Sequence, residues 1–196
     1  MTDRMTRAAL LEGMLLAGGG VVVGGVVIGG LPDLAASKPS REQDAQILNF
    51  ALLLEHVQAG LYADALARGG LSGELREFAR RVGAQEREHI AFIRKALGKA
   101  ARKEPELDFG EDTATPERFT ETAFKLEDLG VAAYNAQAPN LTKETLAAAA
   151  KIVSVEARHA AWIRAIAGEN PAPEAAEPTA SAKRVVNTLN GSGYLQ

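Results

Sequence analysis

From Ser40 to Gly168 the apolar residues recur at three- and four-residue steps, the period of helices that turn one face inward. Leu48, Leu52, Glu55, Ala59 and Tyr62 share one stripe, and Val82, Glu86, His89 and Ile93 share a second. Phe119, Ala123, Glu127 and Tyr134 make a third, and Ile152, Glu156, His159 and Ile163 a fourth. The punctuation between the stripes predicts four helices. Ser40, with Gln43 three residues on, is a capping-box pattern, and Gly69-Gly70 stops the first helix after Arg68. Ser72 caps the second, which is expected to run past Gly98 and to end before Pro105, because proline disfavours helix in the residue before it. Thr115-Pro116 opens the third and Pro139 closes it, while Thr142 caps the fourth, which ends around Gly168.

Loop length selects the topology. The first and third connections are only a few residues long, so each joins an antiparallel hairpin. The second, from Lys99 to Thr115, can extend roughly 55 Å at about 3.3 Å per residue. A helix of about 27 residues is roughly 40 Å long, so this linker can cross the whole bundle and leave the second and third helices parallel. The expected fold is therefore all-α, a four-helix bundle of two antiparallel hairpins joined by one long crossover.

Composition agrees. Apolar residues make up 46% of the 196-residue chain and aromatics only 5%, with Ala, Leu and Glu recurring, which favours helix. A net charge of −3 and the absence of any clustered basic run argue against a nucleic-acid partner. There is no cysteine, so disulfides, thiolate metal sites and cysteine nucleophiles are excluded. Residues 1–39 stand apart: Arg4 and Arg7 precede a charge-free, Gly- and Val-rich run from Met14 to Leu31 that closes near Ala35-Ala36-Ser37. This is the layout of an export signal, and its weak hydrophobicity resembles signals of the twin-arginine route, although adjacent arginines are missing. An uncleaved membrane anchor is the alternative, the run being just long enough to span a bilayer. Residues 40–169 make the helical domain, and 170–196 read as a Pro/Ala-rich linker with a flexible tail, holding at most a short helix around Lys183–Leu189.

The chemistry lies in an internal repeat. Glu86-Arg87-Glu88-His89-Ile90-Ala91-Phe92-Ile93-Arg94 matches Glu156-Ala157-Arg158-His159-Ala160-Ala161-Trp162-Ile163-Arg164 at a constant offset of 70. Leu54-Glu55 and Leu126-Glu127 match at an offset of 72, each glutamate followed seven residues later by a tyrosine, Tyr62 or Tyr134. The two hairpins read as copies related by a pseudo-two-fold axis. Four glutamates and two histidines then converge on the core from apolar stripes. Buried carboxylates without compensation repel one another and shift toward protonation, at several kcal/mol each; two divalent cations remove that cost. A Glu-x-x-His pair on each of two helices, plus one glutamate from each of the others, is the ligand set of a dimetal carboxylate centre. Glu55, Glu86, His89, Glu127, Glu156 and His159 are thus the predicted metal ligands, with Glu86 and Glu156 bridging. The mixed oxygen and nitrogen set suits two iron ions or, alternatively, two manganese ions.

The stretches Ile47-Leu48-Asn49-Phe50-Ala51-Leu52, Leu126-Glu127-Asp128-Leu129-Gly130-Val131-Ala132-Ala133-Tyr134 and Glu156-Ala157-Arg158-His159-Ala160-Ala161 resemble the bacterial ferritin-like domain family that includes desiccation-related proteins. The resemblance covers about Ser40 to Gly168. It implies a ferritin-like bundle and the metal ligands above, and its members often carry export signals. Two function classes follow: a ferroxidase-, peroxidase- or catalase-like oxidoreductase acting on dioxygen or peroxide, or a non-catalytic metal-binding or stress-protection protein. A monomer or homodimer is expected rather than a cage. Other polar residues have plainer readings. His56, about 100° around the helix from Glu55, is a surface or interhelical histidine. Asp128 either orients a liganding histidine or is an exposed acid. Tyr62 and Tyr134 are core aromatics or hydrogen-bond neighbours of the metals. Arg94, Arg164, Glu88 and Trp162 serve packing and surface pairing.

Overall fold

The computed structural model describes residues 38–196, together with two short strands, Val21–Val23 (β1) and Val26–Ile28 (β2), that pair antiparallel. Most of the signal-like or anchor segment therefore lies outside the described residues. No helix among the described residues is long and apolar enough to cross a membrane.

Four helices form the bundle: α1 (Arg41–Arg68), α2 (Gly73–Leu97), α3 (Pro116–Gln137) and α4 (Lys143–Ile166). Their ends follow the local chemistry. The Ser40 hydroxyl accepts from the Gln43 backbone N–H at 3.2 Å, Thr115 accepts from Arg118, and Thr142 from Thr145. Ser72 occupies the cap position of α2 without a side-chain bond. The second helix stops earlier than expected: Gly98 takes a φ of 55°, which breaks the α-helix at Leu97, and only a short 3-10 turn, Gly98–Ala100, follows.

Cross-helix bonds establish the predicted topology. Tyr62 reaches Glu127 while Tyr134 reaches Glu55, so α1 and α3 run antiparallel. At the far end Asp44 accepts from the Thr142 N–H at 2.9 Å and from the Thr145 hydroxyl at 2.6 Å, which sets the N-termini of α1 and α4 side by side. The crossover travels along the outside of α1. Asn49 holds its start, donating to the Ala100 carbonyl at 3.0 Å and accepting from Arg102 N–H at 2.9 Å; Arg68 holds its end through the Gly110 carbonyl at 2.7 Å. Leu107 and Phe109 pack onto Gly60, where a Cβ would lie 2.7 Å from Leu107 Cδ1. For this reason α1 is buried on every side from Asn49 to Ala59, not along one stripe.

The C-terminal segment corrects the expectation of a flexible tail. A fifth helix, α5 (Ala182–Ser192), is capped by Ser181 and places Val185, Val186 and Leu189 in the same core cluster as Phe50, Tyr62 and Phe119. Leu195 then bridges to Leu107, and Asp108 N–H donates to the Tyr194 carbonyl at 2.9 Å. The linker before it is tied down by Arg164, which pairs with Asp128 at 2.7 Å and Glu177 at 3.4 Å.

Candidate metal centre

The six predicted residues meet in the middle of the bundle. Glu55 arrives from α1, Glu86 and His89 from α2, Glu127 from α3, and Glu156 and His159 from α4. All four glutamates are fully buried, and the histidines are 8% and 3% exposed. A carboxylate and an imidazole three residues apart on one helix share a face, so each Glu-x-x-His helix delivers both ligand types to the same point.

Two overlapping groups result. Glu55, Glu86, His89 and Glu156 bring one ligand atom each within 4.8 Å of one another, and so do Glu86, Glu127, Glu156 and His159. Glu86 and Glu156 belong to both. His89 Nδ1 lies 3.1 Å from Glu55 Oε2, 3.1 Å from Glu86 Oε2 and 2.9 Å from Glu156 Oε1. One ring N–H cannot serve three carboxylates, so this convergence exceeds what hydrogen bonding can satisfy. On the other side His159 Nδ1 lies 3.0 Å from Glu86 Oε1 and 3.6 Å from Glu127 Oε2. Glu86 Oε1, Glu127 Oε2, Glu156 Oε1 and His159 Nδ1 are nevertheless buried without a hydrogen-bond partner. The close distances and the missing hydrogen bonds are compatible: these atoms crowd one another without the alignment that a hydrogen bond requires. Carboxylate and imidazole atoms arranged in this way fit a pair of divalent cations.

The electrostatics describe the same frustration. Burial raises the Glu55 carboxyl to about 8 and Glu156 to about 7, with neighbouring carboxylates adding to the rise. Burial also raises Glu86, and Glu156 adds to it. For the histidines burial acts downward, but the surrounding carboxylates outweigh it and push His89 up to about 12 and His159 to about 10. Protons held at this cluster stand where cation charge would otherwise stand.

A family model described as a ferritin-like domain matches residues 43–169, well over half of the chain. The chain belongs to the ferritin-like domain family. No curated protein matches it. In this ferritin-like bundle the buried Glu/His cluster is compatible with dimetal binding, and its donor set points to metal without naming which.

The neighbours of the cluster resolve the open readings. Tyr62 donates to Glu127 Oε1 and Tyr134 to Glu55 Oε1, so both tyrosines are hydrogen-bond partners of cluster carboxylates. Burial and those carboxylates hold both phenols well above their ordinary pKa, which keeps them protonated donors. His56 stays outside the cluster, buried between helices with Nε2 3.5 Å from Arg94 and Nδ1 3.9 Å from Glu104. Asp128 pairs with Arg164 instead of orienting a histidine.

Two glutamines were missed by the sequence reading. The Gln58 amide donates to Glu127 Oε1 at 3.1 Å and Glu156 Oε2 at 3.4 Å, and Gln85 Oε1 lies 2.7 Å from His159 Nε2. Gln58 sits one turn after Glu55, a spacing that could have marked it. Gln85 merely adjoins Glu86 in sequence and gives no such signal.

Proposed function

We propose that this chain is an exported ferritin-like protein that binds two iron or manganese ions at Glu55, Glu86, His89, Glu127, Glu156 and His159. Its proposed activity is a ferroxidase-like oxidation driven by dioxygen or peroxide. The observation that carries the reading is the sharing of Glu86 and Glu156 between two four-residue groups. Two reduced ions side by side would supply the electrons for dioxygen or peroxide.

The chain's own residues supply position and charge. Glu86 turns Oε1 toward His159 and Oε2 toward His89, so it would help to hold a cation on either side. Tyr62 and Tyr134 each occupy one oxygen of Glu127 or Glu55, and the second oxygen of each glutamate faces the centre, that of Glu55 toward His89. The surrounding aromatic layer, in which Tyr62 meets Phe78 and Phe119 edge-on at 5.7 and 5.9 Å, keeps bulk water from that end of the cluster.

Elemental analysis after anaerobic loading with Fe(II) or Mn(II) tests the binding. About two metals per chain are expected, and they should be lost in a Glu86→Ala/Glu156→Ala variant. A folded wild-type chain that takes up no metal overturns the reading. A second, non-catalytic reading is favoured by one feature: the cluster draws a carboxylate from each of the four helices, so bound ions would cross-link the whole bundle. Oxygen-dependent Fe(II) consumption well beyond two equivalents supports catalysis; consumption that stops there supports the cross-linking or stress-protection role. The export component rests on the charge-free run from Met14 to Leu31, and cell fractionation tests it.

A further inference from the structure

The repeat leads one to expect two equivalent metal positions, and the residues behind the ligands break that symmetry. At the Glu127–His159 side, Gln85 Oε1 lies 2.7 Å from His159 Nε2, and the Gln58 amide stands 3.1 Å from Glu127 Oε1. The offset of 70 puts Val155 where Gln85 would recur, and the offset of 72 puts Gly130 where Gln58 would recur. At the Glu55–His89 side, then, Glu55 keeps its tyrosine but has no amide, and His89 Nε2 has no hydrogen-bond partner among the described residues.

Gly130 is part of the asymmetry. A Cβ there would lie 3.3 Å from Gln58 Nε2 and 3.5 Å from Glu156 Oε2, so its absence leaves Gln58 room to reach both carboxylates. Gln58 holds Glu156 Oε2 at 3.4 Å, which leaves Oε1 as the oxygen of Glu156 turned to both histidines. Gln85 can only accept through its carbonyl oxygen, so in the neutral His159 ring it selects the Nε2–H tautomer, the form whose Nδ1 would be available to a metal in the cluster. His89 lacks that constraint, and its side chain is more exposed, 11% against 3%.

We propose that the two positions bind divalent metal unequally: the Glu127–His159 position, braced by Gln85 and Gln58, fills first, and the Glu55–His89 position fills second and exchanges. The proposal rests on the dimetal reading above. Gln85 and Gln58 are positioning residues in it, acting through His159, Glu127 and Glu156.

Anaerobic calorimetric titration of the full chain, with Mn(II) and separately with Fe(II), tests it. Two steps are expected, separated by about ten- to a hundredfold in affinity, the usual effect of such supporting bonds. Gln85→Val copies the residue of the other repeat and should weaken the tight step about tenfold; Val155→Gln should strengthen the weak one. His159→Ala should abolish the tight step and His89→Ala the weak one. Mn(II) electron paramagnetic resonance adds an independent signature, an isolated-ion signal at one equivalent that gives way to a coupled signal at two. Circular dichroism matching wild type certifies each variant as folded. One step with equal affinities, or a Gln85→Val variant with both steps unchanged, overturns the inequality and leaves the dimetal centre standing. No uptake of either metal overturns the dimetal reading itself.

Discussion

The hydroxyl of Tyr62 is a donor that a fully buried carboxylate depends on, since Glu127 has no water to turn to. Tyr62→Phe removes the donor without changing the packing, and should cost about 1–3 kcal/mol in urea denaturation of the metal-free protein. The titrating groups give a second prediction. Glu55 at about 8 and Glu156 at about 7 hold their protons more tightly than in the unfolded chain, where the value is 4.5. Their stabilising contribution is therefore complete below about pH 4.5 and is lost as pH rises through about 7 to 8. The histidine contribution is complete below 6.5 and is lost as pH rises through about 10 to 12. Metal ligands must shed the same protons to bind, so the metal effect has the opposite slope. Between about pH 6 and about pH 9 the metal-free Tm should fall while the Tm increment from Mn(II) grows; a metal-free Tm that climbs over this range would contradict the assignment. At this scale the six cluster residues were legible because the repeat printed them twice on apolar stripes. Gln58 and Gln85 were not, because each occurs in only one copy and an amide carries no charge pattern.

Among the elements, α1 and α2 come into close contact where Gly83 faces Tyr62. A Cβ at Gly83 would stand 2.8 Å from Tyr62 Cβ, an atom fixed to the α1 backbone and unable to swing aside. Gly83→Ala gains about 1 kcal/mol in helix propensity but pushes the two helices apart, at a cost of about 1–3 kcal/mol. A net loss of stability is expected in denaturant titration, with Tyr62 drawn away from Glu127; a gain in stability would show that the interface has slack. The helices themselves were readable from caps and stops, since Ser40, Thr115 and Thr142 cap where their side chains suggest. The early end of α2 was less legible, because the periodic pattern continues past Gly98 and only its positive φ shows the break. The covered outer face of α1 was equally hidden: an irregular crossover has no period, so its apolar Leu107 and Phe109 carry no sign of where they dock.

For the molecule as a whole, the bundle is closed from outside by the crossover and by α5. Leu189 is fully buried in a core cluster shared with α1, α2 and α3. Leu189→Ala should accordingly cost about 2–5 kcal/mol, the loss of a core leucine, whereas a leucine on a free tail would cost almost nothing. Thermal denaturation separates the two outcomes. The docking escaped the sequence because a Pro/Ala/Glu stretch precedes α5 and its apolar positions are few, a pattern that reads as linker. The Leu107–Leu195 bridge also orders events in time. Tyr194 and Leu195 are synthesised well after Leu107 and Asp108, their backbone partners in the crossover. The four bundle helices are thus complete while the crossover still waits for its cover, and closure of the structure must await the emergence of α5 and the residues that follow it. Nascent chains stalled at Gln196 should be protease-sensitive near the crossover, and chains carried further by an added spacer should not.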